Sequence, residues 1–555
     1  NGAGTYTNTI RLYQKVHARG QVNYSRTFNN SHNLSLLAVA ELTSTRADRL
    51  EGSRRYADFF THDIIDQGTA TTASNTGQRG FGRLAAYLGR VNYDYAGKYL
   101  LEVVARYDGS YRYAPSKRWA FFPSASVGWR VSEEKFIKER FPLVSNLKLR
   151  ASYGKSGQDA GNAFEYVAGY TAQADRGYVF ADGEMTTGMI PPGVVNDNLT
   201  WITSTTSNVG FDFDLFQNRL GFVFDIFERK NTGLLATRNQ SVPNTFGATF
   251  PQENINSTLN RGLEVAVSHR GRIGGDFKYA LSANLTYTRL EELHYERASH
   301  TSSWDRWKNG RENRYTGRMW LYEYDGQYTS LEQYETAPLL GAGQGNSKML
   351  PGSYAITDLN GDGIINANDQ TPDYWTYGTV NPPLQYGFVF SASYKSFDIN
   401  TLLQGAAGYS INYRNNDIWG YGRYPTLHEK FLDRWHTSNM TDDPYNPATT
   451  WIPGFYPALR SNTTNTTDDY LIDIWRPNAA YLRLKNVEVG YSLPPAALRR
   501  IGMSSARIFI NGFNLLTFCR RELRDADPER QEKSWDANAA YPLMKSYNIG
   551  FNINF

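Results

Sequence analysis

The stretch VGFDFDLFQNRLGFVFDIF, Val209–Phe227, contains two runs in which large apolar residues alternate with small or acidic ones. A β-strand turns successive side chains to opposite faces, so each run predicts a strand with one apolar and one polar face. Gln217 and Asn218 separate the runs, and this spacing predicts a tight turn that joins them into an antiparallel hairpin. The inward face of the hairpin would carry three carboxylates, those of Asp212, Asp214 and Asp225.

The same alternation recurs along the whole chain, for example in Tyr99–Tyr107, Phe277–Thr288 and Leu384–Tyr394. The last residues, YNIGFNINF (Tyr547–Phe555), alternate without interruption and end on an aromatic side chain. Counted by this rule, the chain contains about fifteen strands of about 10 to 15 residues each. The sequence therefore predicts an all-β protein.

The connections between these strands fall into two length classes that follow one another along the chain. Short connections are predicted at residues 29–33, 95–98, 217–218, 274–276 and 395–396, and two compact helical ones at 133–141 and 494–502. Long polar loops are predicted at residues 51–83, 158–200, 238–259, 290–383 and 415–478. Short turns on one rim and long loops on the other are typical of a bacterial outer-membrane barrel, whereas a soluble β-sandwich has no reason to sort its loops in this way. We therefore predict a large antiparallel transmembrane β-barrel, with residues 290–383 as a long extracellular loop.

The composition agrees with a membrane barrel and argues against other classes. The chain has 555 residues, a mean hydropathy of −0.55 and no run of about 18 apolar residues, so it has no transmembrane helix. Aromatic residues make up 14% of the chain. Transmembrane barrels place aromatic girdles at both membrane interfaces, and sugar-binding surfaces are also rich in aromatic side chains. The net charge of +4 does not indicate a nucleic-acid-binding protein. The single cysteine, Cys519, forms no internal disulfide.

The polarity of the strands predicts that the chain is part of a larger barrel. If the short turns are periplasmic, the first clear strand (Val16–Phe28) and the last strand both run inward, so an odd number of strands is expected upstream. The chain also begins without a signal peptide, as the ordered part of a longer protein would. Its terminal pattern is typical of the signal that the barrel-assembly machinery reads, with the positions Asn548, Gly550, Ile553 and Phe555.

Several longer segments resemble one family, the SusC-like (SusC/RagA) TonB-dependent transporters of Bacteroidetes. The matching segments are Gly97–Phe136, Leu147–Gly157, Asn196–Leu235, Asn260–Ser268 and, most specifically, Tyr481–Phe518. The resemblance runs over nearly the entire chain in the order of the family. It implies a 22-stranded barrel in the outer membrane of a Gram-negative bacterium, of which residues 1–555 would form the C-terminal two-thirds, without the plug domain, the TonB box and the first strands.

The resemblance also implies a function and partners. The family imports bulky nutrients, which makes the chain a transporter and not an enzyme. Its implied partners are a SusD-like surface lipoprotein that acts as a lid, the TonB–ExbB–ExbD complex, outer-membrane lipids and lipopolysaccharide, and a second copy in a dimer of transporter–lipoprotein pairs. Oligosaccharide is the cargo that we expect first, and peptide is the alternative.

The segment DLNGDGIINAND, Asp358–Asp369, predicts a calcium-binding loop. Ca²⁺ prefers six to eight oxygen ligands, which a 12-residue loop supplies at alternating positions around a sharp glycine turn. Gly363 occupies the turn position, and Asp replaces the usual Glu at position 12, as in dockerin-type loops. The predicted ligands are Asp358, Asn360, Asp362, the carbonyl of Ile364, Asn366 through a water molecule, and Asp369. The alternative is a solvated acidic turn, and even a bound ion would be structural.

Residues 304–328, just upstream, combine aromatic side chains with arginines, a mixture that suits stacking on sugars and hydrogen bonds to hydroxyl groups. The candidate substrate contacts are Trp304, Trp307, Tyr315, Trp320, Tyr322 and Tyr324. A peptide could use the same surface, and the alternative is that these residues only pack the loop.

No catalytic motif is present. The eight histidines form no HExxH pair and lie next to no nucleophile signature, and no pair of carboxylates is nominated for hydrolysis. Two further classes stay open at this point. One is a secreted, calcium-stabilised polysaccharide-binding β protein that transports nothing, and the other is a hydrolase. Extraction from cells only by detergent would eliminate the secreted protein.

Overall fold

The computed structural model describes most of the chain. The described residues are 4–56, 64–173, 177–179, 183, 185–191, 193–238, 241, 245, 250–341, 345–373, 382–411, 429–458, 466–467, 470–494, 498, 502–524, 527–529 and 543–555. Within them, no helix is long and apolar enough to cross a membrane.

Fifteen long strands dominate the part of the chain that the structure describes. They are β1 (Thr5–Phe28), β2 (His32–Arg55), β3 (Ser74–Tyr95), β4 (Tyr99–Ser110), β5 (Trp119–Arg130), β6 (Val144–Gln158), β7 (Ile202–Leu215), β8 (Leu220–Thr237), β9 (Gln252–Ile273), β10 (Phe277–His294), β11 (Leu384–Tyr394), β12 (Phe397–Ala407), β13 (Tyr481–Ser492), β14 (Ser505–Cys519) and β15 (Ser546–Asn554). Their number matches the count that alternation predicts.

The remaining elements are short and lie in the connections. The helices are α1 (Lys135–Arg140) and α2 (Ser303–Asn309), with single 3₁₀ turns at Ile65–Gln67, Ala70–Thr72, Val131–Glu133, Glu332–Glu335, Ala367–Asp369, Glu429–Leu432, Asp473–Trp475 and Arg521–Leu523. The short strands are Thr171–Gln173, Gly188–Ile190, Arg314–Tyr315, Met319–Tyr322, Tyr324–Gln327, Leu339–Leu340, Tyr354–Ile356, Ile364–Ile365, Gln370–Asp373, His436–Thr437 and Trp451–Ile452. The helix α1 confirms the predicted compact connection at residues 133–141. The other one, at 494–502, lies largely outside the described residues.

The chain divides into two compact units. The first comprises residues 1–218, 224–261 and 290–314, and the second comprises residues 219–223, 262–289 and 315–555. In the first unit, strands β1 to β9 follow one another in the sheet in chain order. Neighbouring strands pair antiparallel, for example with Thr5 opposite Arg55 between β1 and β2 and Val144 opposite Leu215 between β6 and β7.

In the second unit, too, each strand from β9 to β15 lies beside its neighbour in sequence. The connections of this unit also form a hydrophobic cluster of their own, here called the loop core. Its most buried members are Tyr354, Phe431, Ile472, Trp475 and Leu523. Met319–Tyr322 pairs with Gln370–Asp373, and Tyr324–Gln327 pairs with Tyr354–Ile356, so the connection between β10 and β11 is folded.

The register sorts the side chains of the first unit onto an apolar face and a polar face. On the apolar face, Tyr95, Tyr99 and Trp129 form one row of rings with centroids 6.3 and 6.5 Å apart, beside the short turns. A second row lies towards the long connections, where the Trp119 ring stacks on Tyr107 and Tyr87 at 4.9 and 6.0 Å. We call these the lower and the upper aromatic row. Eight residues of β4 separate them, which is about 20 Å along a membrane normal for a strand tilted by about 40°.

The predicted strand lengths are wrong for β8 to β10, which have 18, 22 and 18 residues, and most of all at the start of the chain. Strands β1 and β2 have 24 residues each and β3 has 22, so the predicted loop at 51–83 shrinks to residues 56–73. The reason is that backbone pairing continues beyond the apolar band into a polar region, for example from Leu50 opposite Gly77 to Ser53 opposite Ser74. The turn of the hairpin at Phe216–Arg219 is confirmed, and Phe216, Gln217 and Asn218 have positive φ.

The C-terminal strand β15 pairs with β14 along its whole length, from Ser546 opposite Phe513 to Asn554 opposite Ser505. Asn548, Gly550 and Ile553 lie in this strand, and Phe555 follows it with an exposed ring. A Cβ atom at position 550 would lie 2.3 Å from Cζ of Phe509, so glycine leaves room for that ring. The role of these four residues as an assembly signal stays a prediction.

We expect Gly550→Val to weaken the last strand pair. The added side chain must displace the Phe509 ring, an overpacking that costs about 1–3 kcal/mol. The measurement is the fraction of full-length protein that migrates as the folded, heat-modifiable form after expression. Asn552→Ala, at an exposed position on the same face of β15, is the control and should assemble like the parent. Equal assembly of the valine variant would contradict this account.

Candidate functional site

The predicted calcium loop lies in the second unit and forms a closed turn. Ile364–Ile365 pairs in parallel with Leu339–Leu340, and the Ile365 side chain is buried in the loop core. Gly361 and Gly363 have φ of 70° and 76°, which L side chains adopt only with strain. The glycines therefore set the turn that brings the oxygen-bearing side chains together.

Most of the predicted ligands accept hydrogen bonds from the backbone of the same loop. The two carboxylate oxygens of Asp358 accept from the N–H groups of Gly361 and Gly363, both at 2.8 Å. Asp362 Oδ1 accepts from the Ile364 N–H at 2.8 Å, and its other oxygen accepts from the Asn360 amide at 2.9 Å. These bonds hold the oxygens on one turn of chain.

Asp369 closes the loop. Its carboxylate is fully buried and accepts from the Leu359 N–H at 3.2 Å and from the Asn366 N–H at 2.7 Å. Position 12 is thereby tied to positions 2 and 9. In the described part of the chain, no three His, Cys, Asp or Glu side chains converge as a metal-binding group. A carboxylate has about four lone-pair sites, however, so each acid keeps acceptor capacity for a cation.

Two of the six candidate aromatic residues form an exposed pair in the first unit. Trp304 and Trp307 lie on α2, with ring centroids 4.9 Å apart, and keep 46% and 40% of their surface exposed. Ser302 caps the helix by accepting the Asp305 N–H at 3.0 Å. The Asn309 amide and the Thr301 N–H, both bonded to the Asp305 carboxylate, lower its pKa to about 2, so this acid stays charged beside the rings.

Several charged pairs lie close to this tryptophan pair in the sequence. Arg311 binds both carboxylate oxygens of Glu292, at 2.7 and 2.6 Å, and its guanidinium lies 4.3 Å from the centroid of the Tyr295 ring. Glu312 pairs with His294 at 3.0 Å and with Arg297 at 3.4 Å. The first unit thus presents aromatic faces next to forked donors and acceptors, the combination that sugar recognition needs.

The other four candidates belong to the second unit and are placed differently. Tyr315 is exposed, with the Arg289 guanidinium 4.0 Å from its ring centroid, and Trp320 has Arg318 at 5.3 Å. Tyr322, by contrast, is only 9% exposed within the loop core, where burial raises its pKa to about 12. Tyr324 packs its ring edge on Tyr354 at 5.6 Å. Tyr322 therefore packs the loop, as the alternative interpretation of this segment has it.

The polar face of the first unit holds a further candidate surface. The Arg150 guanidinium binds Asp212 at 2.8 Å and Asp225 at 3.0 Å, and Asn146 donates to Asp214 at 3.0 Å. The three carboxylates predicted for the inward face thus all meet polar partners from β6.

Next to this ion pair, a cavity of about 770 Å³ opens on the polar face. Its lining includes Asn33, Asp94, Glu102, Lys148, Arg150 and Asn208, which come from five strands. Sequence reasoning missed this set, because alternation gives the face of each residue but not which strands align. The only signal was the recurrence of polar residues at every second position.

A family model described as "TonB dependent receptor-like, beta-barrel" matches residues 1–388. The chain belongs to this family. Its members are outer-membrane β-barrels, so this TonB-dependent receptor barrel lies in the outer membrane, as predicted, with its apolar face towards lipid. The family consists of receptors and transporters, which agrees with the prediction that the chain is not an enzyme.

Relatives and solved structures support the SusC-like resemblance. A TonB-dependent receptor of Formosa agariphila is 28% identical over 96% of this chain and 51% of its own length. The TonB-dependent receptor SusC of Bacteroides thetaiotaomicron is 26% identical over 89% of this chain and 45% of its own. The structure of the RagAB peptide transporter matches with a TM-score of 0.71 at 20% identity, over 99% of this chain and 56% of that one. The receptor barrel thus spans about half the length of the curated relatives that it matches.

Proposed function

We propose that this receptor barrel is part of an active importer that carries a bulky nutrient, oligosaccharide in the first place, across the outer membrane. A SusD-like lipoprotein would cover the long connections and deliver the ligand, as the family resemblance implies. The TonB–ExbB–ExbD complex would supply the energy by moving a plug domain. The polar face then serves as the hydrated wall of the path, and two transporter–lipoprotein pairs would form a dimer.

The exposed Trp304–Trp307 pair is the observation that favours oligosaccharide as the cargo. Two neighbouring indole faces at 4.9 Å offer a platform for the C–H faces of sugar rings. Asp305 and Arg311 supply charged hydrogen-bonding groups on the same connection, and Glu292 adds one at the end of β10. The outer-membrane assignment also argues against a secreted polysaccharide-binding protein, because the lipid-facing aromatic rows would then be exposed to water.

Peptide import is the alternative, and one observation favours it. A solved structure whose fold matches over 99% of this chain is that of a peptide transporter. At 20% identity this likeness shows the fold alone, and the same barrel could carry either cargo. A peptide would use the tryptophan pair for apolar side chains and the paired charges of Arg311 and Glu292 for its termini.

We expect the double change Trp304→Ala and Trp307→Ala to weaken oligosaccharide binding by about 10- to 100-fold, since each aromatic contact contributes about 0.5–1.5 kcal/mol. The full-length transporter with its lipoprotein would first be analysed by native mass spectrometry for co-purified ligand. It would then be titrated by calorimetry with xylo-, manno- and malto-oligosaccharides and with a tryptic peptide mixture.

Tyr170→Ala removes an aromatic side chain that is even more exposed, at 69%, from another connection of the first unit and serves as the control. It should leave the affinity unchanged. Co-purified peptides, and tight binding of the peptide mixture without binding of any oligosaccharide, would decide for the alternative cargo. Full oligosaccharide affinity in the double variant would show that the tryptophan pair is not the contact surface.

A further inference from the structure

The charged side chains of α2 and of the turn that follows it are not all paired. Residues 303–314 contain two carboxylates and four cations, namely Asp305 and Glu312 and Arg306, Lys308, Arg311 and Arg314. Both carboxylates already bind donors of the same connection. Arg311 is bound to Glu292, but no carboxylate in the described part of the chain pairs with Arg306 or Arg314. The charge that lacks a counter-ion on this segment is therefore positive.

One of these two arginines, Arg314, is held in a fixed position at the end of α2. Its Nη1 donates to the Trp307 carbonyl and, at 2.9 Å, to the Gly310 carbonyl, so the guanidinium caps the C-terminal turn of the helix. The residue before it is fixed as well, because the Asn313 N–H donates to the Glu292 carbonyl at 2.6 Å. A cation that is already held in place loses little conformational entropy when it binds an anion.

The opposite edge of the Arg314 guanidinium is open. Its Nε and Nη2 have no partner among the residues that the structure describes, and neither atom is buried. These two groups donate side by side, which is the geometry that binds two oxygens of one carboxylate or sulfate. Arg311 shows this on the same connection, where its Nε and Nη2 bind the two carboxylate oxygens of Glu292 at 2.7 and 2.6 Å.

The two backbone carbonyls do not cancel the charge of Arg314. A carbonyl oxygen carries only a partial charge, so the guanidinium stays net positive towards solvent. Arg306, which is exposed on α2, adds a second cation without a carboxylate partner among the described residues. An anion that reaches this segment therefore meets a positive potential and a ready pair of donors.

We propose that Arg314 binds a carboxylate or sulfate group of an acidic oligosaccharide whose sugar rings stack on Trp304 and Trp307. This inference rests on the proposed function and narrows the cargo to glycans that carry uronic acids or sulfate esters. The two parts of the site are adjacent, since Nη1 of Arg314 contacts the backbone of Trp307 itself. An acidic sugar has both features that the segment recognises, an apolar ring face and an anionic substituent.

The test compares acidic and neutral forms of the same oligosaccharides. The full-length transporter with its lipoprotein would be titrated by calorimetry with three pairs: xylo-oligosaccharides with and without glucuronic acid, oligogalacturonate and its methyl ester, and sulfated and desulfated galacto-oligosaccharides. We expect the acidic form to bind at least about tenfold more tightly than the neutral form in the pair that the transporter recognises. Arg314→Gln should remove this preference, and Arg314→Lys, which keeps the charge without the fork, should retain part of it.

The ratio of acidic to neutral affinity separates recognition from a purely structural role. If Arg314 only caps α2, its loss disturbs the tryptophan pair and weakens both forms equally, which would overturn the inference. Arg238→Gln is the control, because Nε of Arg238 is already bound to Glu253 at 3.0 Å, and it should keep the preference.

Two further outcomes distinguish this inference from the proposed function. Equal binding of both forms in every pair that binds would overturn the acidic cargo and leave oligosaccharide import in place. Binding of no oligosaccharide at all would overturn the proposed cargo and this inference with it. Arg314-dependent binding of a tryptic peptide mixture, without binding of any acidic oligosaccharide, would assign the open edge to a peptide carboxylate instead.

Discussion

Replacing Arg483 with alanine should lower the free energy of unfolding of the second unit by about 3–5 kcal/mol, the cost of leaving buried charges without their partner. Arg483 is 3% exposed and donates to Asp527 at 2.5 Å, to Glu529 at 2.6 Å and to the Thr517 hydroxyl at 2.9 Å. Its two carboxylate partners belong to the connection after β14, so one arginine of β13 holds that connection on the polar face.

Two neighbouring contacts also hold the connection after β14, so Arg483 acts as the centre of an anchor for it. Lys485 also binds Glu529, at 2.6 Å, and the Tyr409 hydroxyl donates to the Pro528 carbonyl at 2.6 Å. Burial raises the pKa of Tyr409, which keeps this hydroxyl protonated and able to donate. Residues 527–529 are therefore held from three sides, and we expect loss of the central cation to release them.

The measurement combines thermal unfolding of the detergent-solubilised full-length protein with limited proteolysis of the connection after β14. Arg261→Ala is the control, because its pair with Glu228 is exposed and contributes at most about 1 kcal/mol. The double variant Arg483→Ala/Asp527→Ala should lose less than the sum of the single changes, since it removes a charge from each side. A stability loss no larger than that of the control would refute the anchor.

The fold was predictable from the sequence because its main signal is local. Alternation in segments such as Val209–Phe216 gives strands and their faces, and connection length gives the two rims. The ends of β2 and β3 were not predictable in this way. Beyond Leu50 both faces are polar, so alternation disappears while backbone pairing continues.

The candidate site was predictable only in part, because burial inside a folded connection has no periodic signal. Tyr322 and Tyr324 are two residues apart in one aromatic segment, yet Tyr322 is buried in the loop core and Tyr324 is exposed. What buries Tyr322 comes from distant parts of the chain, such as Tyr470, whose ring centroid lies 4.9 Å away. Arg483 is a similar case, since its carboxylate partners lie more than 40 residues further along the chain.

Calcium binding by the 358–369 loop gives the second large expected effect. We propose that the full-length protein binds one Ca²⁺ there, with a dissociation constant in the range of about 10⁻⁵ to 10⁻³ M that extracellular modules and weaker sensor loops show. Asp358→Ala together with Asp362→Ala removes two charged ligands and should weaken binding by about 100-fold or more. Calorimetry with Ca²⁺ alone measures both constants. Asp325→Ala, an exposed acid of the same unit outside the loop, is the control and should bind like the parent.

A further variant, Asp369→Ala, distinguishes the role of the loop's own hydrogen bonds from that of a bound ion. The buried Asp369 carboxylate holds the loop closed without metal, because it accepts hydrogen bonds from the N–H groups of Leu359 and Asn366. Asp369→Ala should therefore increase proteolysis within residues 345–373 even in a chelator. The Asp358/Asp362 variant loses only exposed hydrogen bonds, so in chelator it should be cleaved less than Asp369→Ala, and it should lose the protection that Ca²⁺ adds. For the parent, Ca²⁺ at 100 times its dissociation constant adds about 2.7 kcal/mol to the stability of the closed loop. If Ca²⁺ at millimolar concentration neither binds the parent nor changes its cleavage, the segment is a hydrogen-bonded turn whose oxygens serve the backbone alone.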